Sequence, residues 1–126
     1  MIVVDTSALM AIIRGEPEAT DCRAIIEAET ELLIAAPTLT EALVVAKGRE
    51  LFGEMAALIN DLTMTVVPFT ENHAYAAVRG YARWGKGRHP AKLNICDSFS
   101  YALATEMRCP LLFVGNDFAQ TDVVRT

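Results

Sequence analysis

Four carboxylates in this 126-residue chain stand out by where they fall. Asp5 follows the apolar run Ile2-Val3-Val4, Glu41 lies in PTLTEAL, Asp97 in LNICDSFSYAL and Asp117 in LLFVGNDF. Each has an ordinary explanation of its own. Thr38-x-x-Glu41 matches the capping-box pattern and Asn94-x-x-Asp97 is a close variant. Asp5 suits the start of a following helix, and Asp117 suits the cap of a short one. Taken together, they point elsewhere. Four carboxylates sharing one crevice repel and desolvate one another unless a cation joins them. No Lys or Arg immediately flanks any of the four. A hard divalent cation resolves the conflict, because Mg²⁺ and Mn²⁺ favour carboxylate oxygens and water.

Whether the acids meet depends on the elements that carry them. Apolar runs ending in turn signals predict short buried strands over 2–4, 33–36, 65–67 and 111–114. Helical patterns fall between them, over 8–14, 18–28, 39–47, 51–62, 71–84 and 95–107. The strands are continuously apolar rather than alternating, which predicts a parallel sheet covered on both faces: an α/β fold of three layers, α/β/α, around four to five strands. In such a sheet all strands leave at one edge, helix N-termini gather there, and ligands bind where the strand order reverses. All four acids follow a strand or open a helix, so all four belong to that edge.

Bulk properties narrow the function. Hydrophobic residues make up 52% of the chain and charged residues 21%, which excludes disorder and favours one packed domain over residues 1–126. No run approaches the ~20 apolar residues that cross a bilayer, and the opening lacks a signal-peptide pattern. A cytoplasmic protein without a membrane partner is expected. Cys22, Cys96 and Cys109 are widely spaced, form no CxxC pair, and read as reduced packing residues. The net charge of −5 argues against a nucleic-acid binder. Yet Arg79, Arg83, Lys86, Arg88 and Lys92 cluster within fourteen residues, and the local field decides where a polyanion docks.

At this point the motifs carry a resemblance. IVVDTSAL at the start, Glu41 in the second βα unit, GKGRHPAKLNICDSFSYALA and PLLFVGNDFAQTDV are together similar to the PIN-domain family, and within it to the VapC toxins of bacterial toxin–antitoxin pairs. The likeness covers essentially the whole chain. It implies a Mg²⁺- or Mn²⁺-dependent endoribonuclease with Asp5, Glu41, Asp97 and Asp117 as its acidic cluster. Asp5 and Asp97 would be the central ligands, with Glu41 and Asp117 holding a second ion or its waters. Thr6 or Ser7 would support the first acid by hydrogen bonding. The resemblance further implies a structured RNA substrate of the tRNA or rRNA class, a small VapB-type antitoxin and a homodimer. Two positions depart from the family's pattern. Asn116 stands where relatives often carry another acid, which removes one charge while leaving an amide oxygen for a metal or water. Cys96 stands where relatives often have Gly.

Phosphodiester hydrolysis needs an activated nucleophile, charge neutralisation at the phosphate and help for the leaving oxygen, and carboxylate-held metals supply all three without a catalytic His. Water activated at the acidic site is expected to leave 5′-phosphate and 3′-hydroxyl ends. In RGYARWGKGRHPAK, Lys86, Arg88 and His89 are candidates for backbone phosphates, and Trp84 with Tyr81 for stacking on bases. Arg79 and Arg83 read as a solvated face, while His73 and Glu71 read as capping or surface residues. Asp122, which recurs in the resembling family, is a further candidate for the metal site. The runner-up is a catalytically quiet PIN domain that binds RNA or protein. A phosphoryl-accepting receiver would need an acid pair after the first strand and a late Lys, and a haloacid-type phosphatase a DxD there; neither pattern is present.

Overall fold

The computed structural model describes residues 1–126, in the order β1 (Ile2–Val4), α1 (Thr6–Arg14), α2 (Ala19–Ala28), β2 (Leu32–Ala35), α3 (Ala36–Gly48), α4 (Phe52–Leu62), β3 (Thr65–Val67), α5 (Glu71–Trp84), α6 (Ile95–Met107) and β4 (Leu111–Leu112). The four strands form one parallel sheet in the order β3-β2-β1-β4. A parallel bridge between Leu111 and Arg125 brings the C-terminal tail alongside β4 as the stub of a further strand. The order runs outward from β1 to β2 and β3 in one direction and to β4 in the other. The reversal therefore lies between β1 and β4, where ligands of parallel sheets bind.

Strand alternation divides the core. Ile2, Val4, Leu32 and Ile34 face one apolar cluster with Leu9, Ile12, Ala42, Ala46 and Met55; Val3, Leu33 and Ala35 face the other with Trp84, Tyr101, Leu103 and Phe113. Helices α1–α4 thus cover one face and α5–α6 the other, which is why the strands read as unbroken apolar runs. Helices α5 and α6 approach closely at Gly80, where a Cβ would stand 2.5 Å from Cδ1 of the Tyr101 ring. No helix is long and apolar enough to cross a membrane.

The differences from the sequence expectations concentrate at element ends. Helix α1 begins at Thr6 rather than 8, with Asp5 as its N-cap. Helix α3 begins at Ala36, three residues earlier than expected, because Pro37 sits in its first turn, where a missing N–H costs nothing. Thr38 is consequently inside the helix and fully buried, so the expected Thr38–Glu41 capping box does not form. The Asn94–Asp97 box does form, in both directions. A second box pairs Thr70 with His73, whose ring is buried, accepts the Thr70 N–H at Nδ1 and turns Nε2 to Glu106. Strand β4 is shorter than expected, ending at Leu112.

Candidate active site

Asp5 leaves β1 at the reversal point and is only 3% exposed. Its Oδ2 accepts the backbone N–H of Ser7 at 3.0 Å and the Ser7 hydroxyl at 2.7 Å, while Oδ1 accepts the Ser100 hydroxyl at 2.6 Å. Ser7 Oγ in turn accepts the Val114 N–H at 3.0 Å, tying this turn to the chain beyond β4. Asp5 is therefore a helix cap that stands where the strand order reverses. Glu41, half-buried on α3, accepts the Thr6 hydroxyl at 2.6 Å. Thr6 and Ser7 were both candidates to support Asp5. Only Ser7 does so, and Thr6 serves Glu41 because its side chain points toward α3.

Asp97 is 7% exposed on the first turn of α6. Its Oδ2 accepts the Asn94 N–H at 3.0 Å, and its own N–H donates to Asn94 Oδ1 at 2.8 Å. Burial pushes its carboxyl up to about 7, and the negative charges of Asp5 and Asp117 push the same way, against the Asn94 N–H. Asp117 is exposed in the turn that Gly115 opens at φ +100°, close enough for its charge to act on Asp97. The Cys96 thiol is pushed up to about 11, by burial first and then by the negative charges of Glu41, Asp97 and Asp5. All three cysteines are free, Cys22 and Cys109 buried and Cys96 half-buried beside the acids.

Asp5 and Asp117 thus act on Asp97, Glu41 reaches the same place through Cys96, and no Lys, Arg or His forms an ion pair with any of the four acids. As placed, no group of three acid, thiol or imidazole side chains is drawn tightly enough to hold a metal ion by itself. That arrangement suits Mg²⁺, which keeps several waters and takes one or two carboxylates plus substrate phosphate rather than an all-protein cage. The oxygen donors of these acids, with no protein cation among them, fit a hard divalent ion.

Several expected participants lie elsewhere. Trp84 is 9% exposed, donates from Nε1 to the Tyr101 hydroxyl at 3.2 Å, and is covered by the Arg83 guanidinium 4.4 Å above its ring. It has no face left for a base, so the expected stacking role is corrected to a packing one. His89 turns the edge of its ring to Trp84 and uses Nδ1 to accept the Ala91 N–H, bracing the loop. Asp122 accepts from Tyr101 at 2.7 Å and from Arg83 at 3.3 Å, so both oxygens tie the tail to α5 and α6 rather than joining the acids. Asn116 is exposed in the turn after β4 and lines a groove against Glu18, Asp21 and Ile25 of the α2 region. Lys86, Arg88 and Lys92 are exposed without ion-pair partners around a shallow hollow lined by residues 86–90 and Lys92. This loop feeds directly into Asn94, the cap of the helix that carries Asp97.

Two contributors were missed in the sequence, Ser100 and Thr38. Ser100 is fully buried between Asp5 and Thr38, with Thr38 Oγ1 3.3 Å from its hydroxyl. The available signal was a polar residue inside FSYALA, one helical turn beyond Cys96 and Asp97.

Comparison with known proteins follows the same lines. The family model described as PIN domain matches residues 2–124. The chain is 41% identical over 128 residues to ribonuclease VapC36 of Mycobacterium tuberculosis, covering 97% of this chain and 91% of the relative. It is 39% identical over 127 residues to ribonuclease VapC30 of the same species, covering 97% and 95%. Among solved structures, the M. tuberculosis VapC20 toxin, described as cleaving the sarcin–ricin loop, superposes with a TM-score of 0.80 at 17% identity, covering 100% of this chain and 98% of that one. A toxin–antitoxin complex from Klebsiella pneumoniae superposes with a TM-score of 0.75 at 22% identity, covering 100% and 97%.

Proposed function

The chain belongs to the PIN-domain family and to its VapC ribonucleases, and from that premise we propose that it hydrolyses RNA with a divalent cation held by Asp5 and Asp97. Glu41 and Asp117 hold a second ion or its waters. The observation that carries this reading is Asp97: a buried carboxyl beside Asp5 and Asp117, with no protein cation to balance it. When bound, Mg²⁺ or Mn²⁺ supplies positive charge that lowers the pKa of water and neutralises the phosphate. The protein's own part is positional. Ser7 and Ser100 fix Asp5, Thr6 fixes Glu41, and the Asn94 cap fixes one oxygen of Asp97 while the other stays available. Asp117, on an exposed turn, is the acid free to adjust when substrate arrives. In-line attack of water on the phosphate leaves 5′-phosphate and 3′-hydroxyl ends.

The substrate is cellular RNA of the tRNA or rRNA class, met in the cytoplasm, with Lys86 and Arg88 holding backbone phosphates. The relatives' names and the complexes among the structural neighbours support a VapB-type antitoxin as partner. The apolar surface of α3 and α4, with Val44 64% and Phe52 47% exposed, suits the antitoxin or a second copy in a homodimer. Incubating antitoxin-free protein with total RNA and Mn²⁺, beside an EDTA arm, tests the reading. Metal-dependent cleavage whose products accept ligation at a 5′-phosphate supports it, and cleavage that persists in EDTA overturns it. Replacing Lys86 and Arg88 together by Ala is expected to weaken RNA binding and to reduce the slope of log affinity against log salt by ~1.4, about 0.7 per phosphate contact on single strands. An unchanged slope in a binding titration would remove the loop from the RNA path.

A further inference from the structure

Helix α6 brings one more polar group into the site than the acids require. Ser100 is fully buried, yet its hydroxyl does not turn back to its own helix, as that of Ser98 does to the Ile95 carbonyl. It crosses to Asp5 instead, donating to Oδ1 at 2.6 Å. A hydroxyl carries one proton, and a carboxylate can only accept. With that proton committed, the 3.3 Å contact between Thr38 and Ser100 has one sense: Thr38 donates and Ser100 accepts. The chain of donors therefore runs Thr38 to Ser100 to Asp5, linking α3, α6 and the end of β1.

The acceptor sites of Asp5 can be counted. A carboxylate offers about four lone-pair positions over its two oxygens. Ser7 fills two on Oδ2, one with its N–H and one with its hydroxyl, and Ser100 fills one on Oδ1. On the metal reading given above, we infer that Ser100, backed by Thr38, is a positioning residue for Asp5. It locks the carboxylate so that the remaining lone pair of Oδ1 is the one Asp5 would offer to a divalent cation. Packing alone does not call for a serine here. The same helix buries Ala102 and Ala104 without a polar atom, and a buried hydroxyl costs free energy unless its hydrogen bonds are made. Hydrogen-bond partners of metal ligands typically contribute tenfold to a hundredfold in metal affinity, which sets the size of the expected effect.

The test compares Ser100→Ala, Ser100→Cys and Thr38→Val with the wild type by Mn²⁺ titration calorimetry without RNA, thermal unfolding in EDTA, and cleavage rate against Mn²⁺ concentration. Ser100→Ala is expected to raise the Mn²⁺ dissociation constant about tenfold to a hundredfold, with smaller rises in the other two. Cleavage by Ser100→Ala is expected to need correspondingly more Mn²⁺ for half-maximal rate, a larger change than the loss of rate left at saturating Mn²⁺. Mn²⁺ affinity within twofold of wild type in Ser100→Ala overturns the assignment, whatever happens to the unfolding temperature. Should Ser100→Ala fail to fold, unchanged affinity in both Ser100→Cys and Thr38→Val overturns it equally. A wild type that binds no Mn²⁺, or that cleaves in EDTA, fails at the earlier step and removes the metal reading itself.

Discussion

Exchanging Asp97 for Asn is expected to lower RNA cleavage by about a thousandfold, the rate equivalent of ~4 kcal/mol of lost transition-state stabilisation. The metal-free fold should be undiminished by the change. The amide oxygen of Asn can keep the cap bond to the Asn94 N–H, and the residue's own N–H still donates to Asn94 Oδ1. What disappears is a charge that burial, Asp5 and Asp117 all disfavour. The sign of the pH dependence follows. The Asp97 carboxyl titrates at about 7 in the folded chain against an ordinary value of 3.8. Its contribution to stability is therefore complete below the ordinary value and is lost as pH rises through about 7. In EDTA the wild type should lose unfolding temperature relative to Asp97→Asn between about pH 4 and 8, and added Mn²⁺ should restore it. Single-turnover cleavage and thermal unfolding at both ends of that range check the pair of effects. A variant that cleaves at the wild-type rate, or that is clearly less stable than wild type in EDTA at pH 8, contradicts the account.

Asp5→Ala is expected to abolish cleavage to a similar degree but, unlike Asp97→Asn, to cost stability as well. Removing this carboxylate strands the Ser7 N–H, the Ser7 hydroxyl and the Ser100 hydroxyl, and deletes the N-cap of α1. Ser7 is half-exposed, so water can take up its two donors, and the cap bond is one of these; the fully buried Ser100 hydroxyl is the main loss. An unmet buried donor costs about 1–3 kcal/mol, so a net loss of about 2 kcal/mol is expected in urea unfolding with EDTA present. The contrast matters more than either value. One acid is a charge the fold tolerates for function, and the other is an acceptor on which three donors converge. Equal stability changes in the two variants would contradict the hydrogen bonding described for Asp5.

The edge on which the site is built was legible because strands and helices alternate so plainly. Asp5 and Asp117 follow apolar runs, and a parallel sheet places both at one edge before any contact is known. The Asn94–Asp97 box was equally local, four residues with a known geometry. The misread features are those set by distant partners. Thr38 resembled a cap because Thr38-x-x-Glu41 fits the capping-box pattern, whereas the helix begins at Ala36 and Thr38 turns inward to Ser100 on α6. Trp84 looked available to a base, but the hydroxyl that receives its N–H belongs to Tyr101, itself held by Asp122 from the tail. Thr6 and Ser7 are neighbours in sequence, and only the placement of α3 decides that one serves Glu41 and the other Asp5. Nothing in the local sequence of Cys96 indicates that the charge of Glu41, fifty-five positions away, acts on its thiol.

The central claim is that these acids bind a divalent cation at the reversal point of the sheet. Anomalous scattering from crystals grown with Mn²⁺ tests it most directly. A Mn²⁺ peak is expected between Asp5 Oδ1 and the free oxygen of Asp97, with Asp5 Oδ2 still bonded to Ser7. Crystals of active protein with no peak there, or with Mn²⁺ bound only away from both residues, would contradict it.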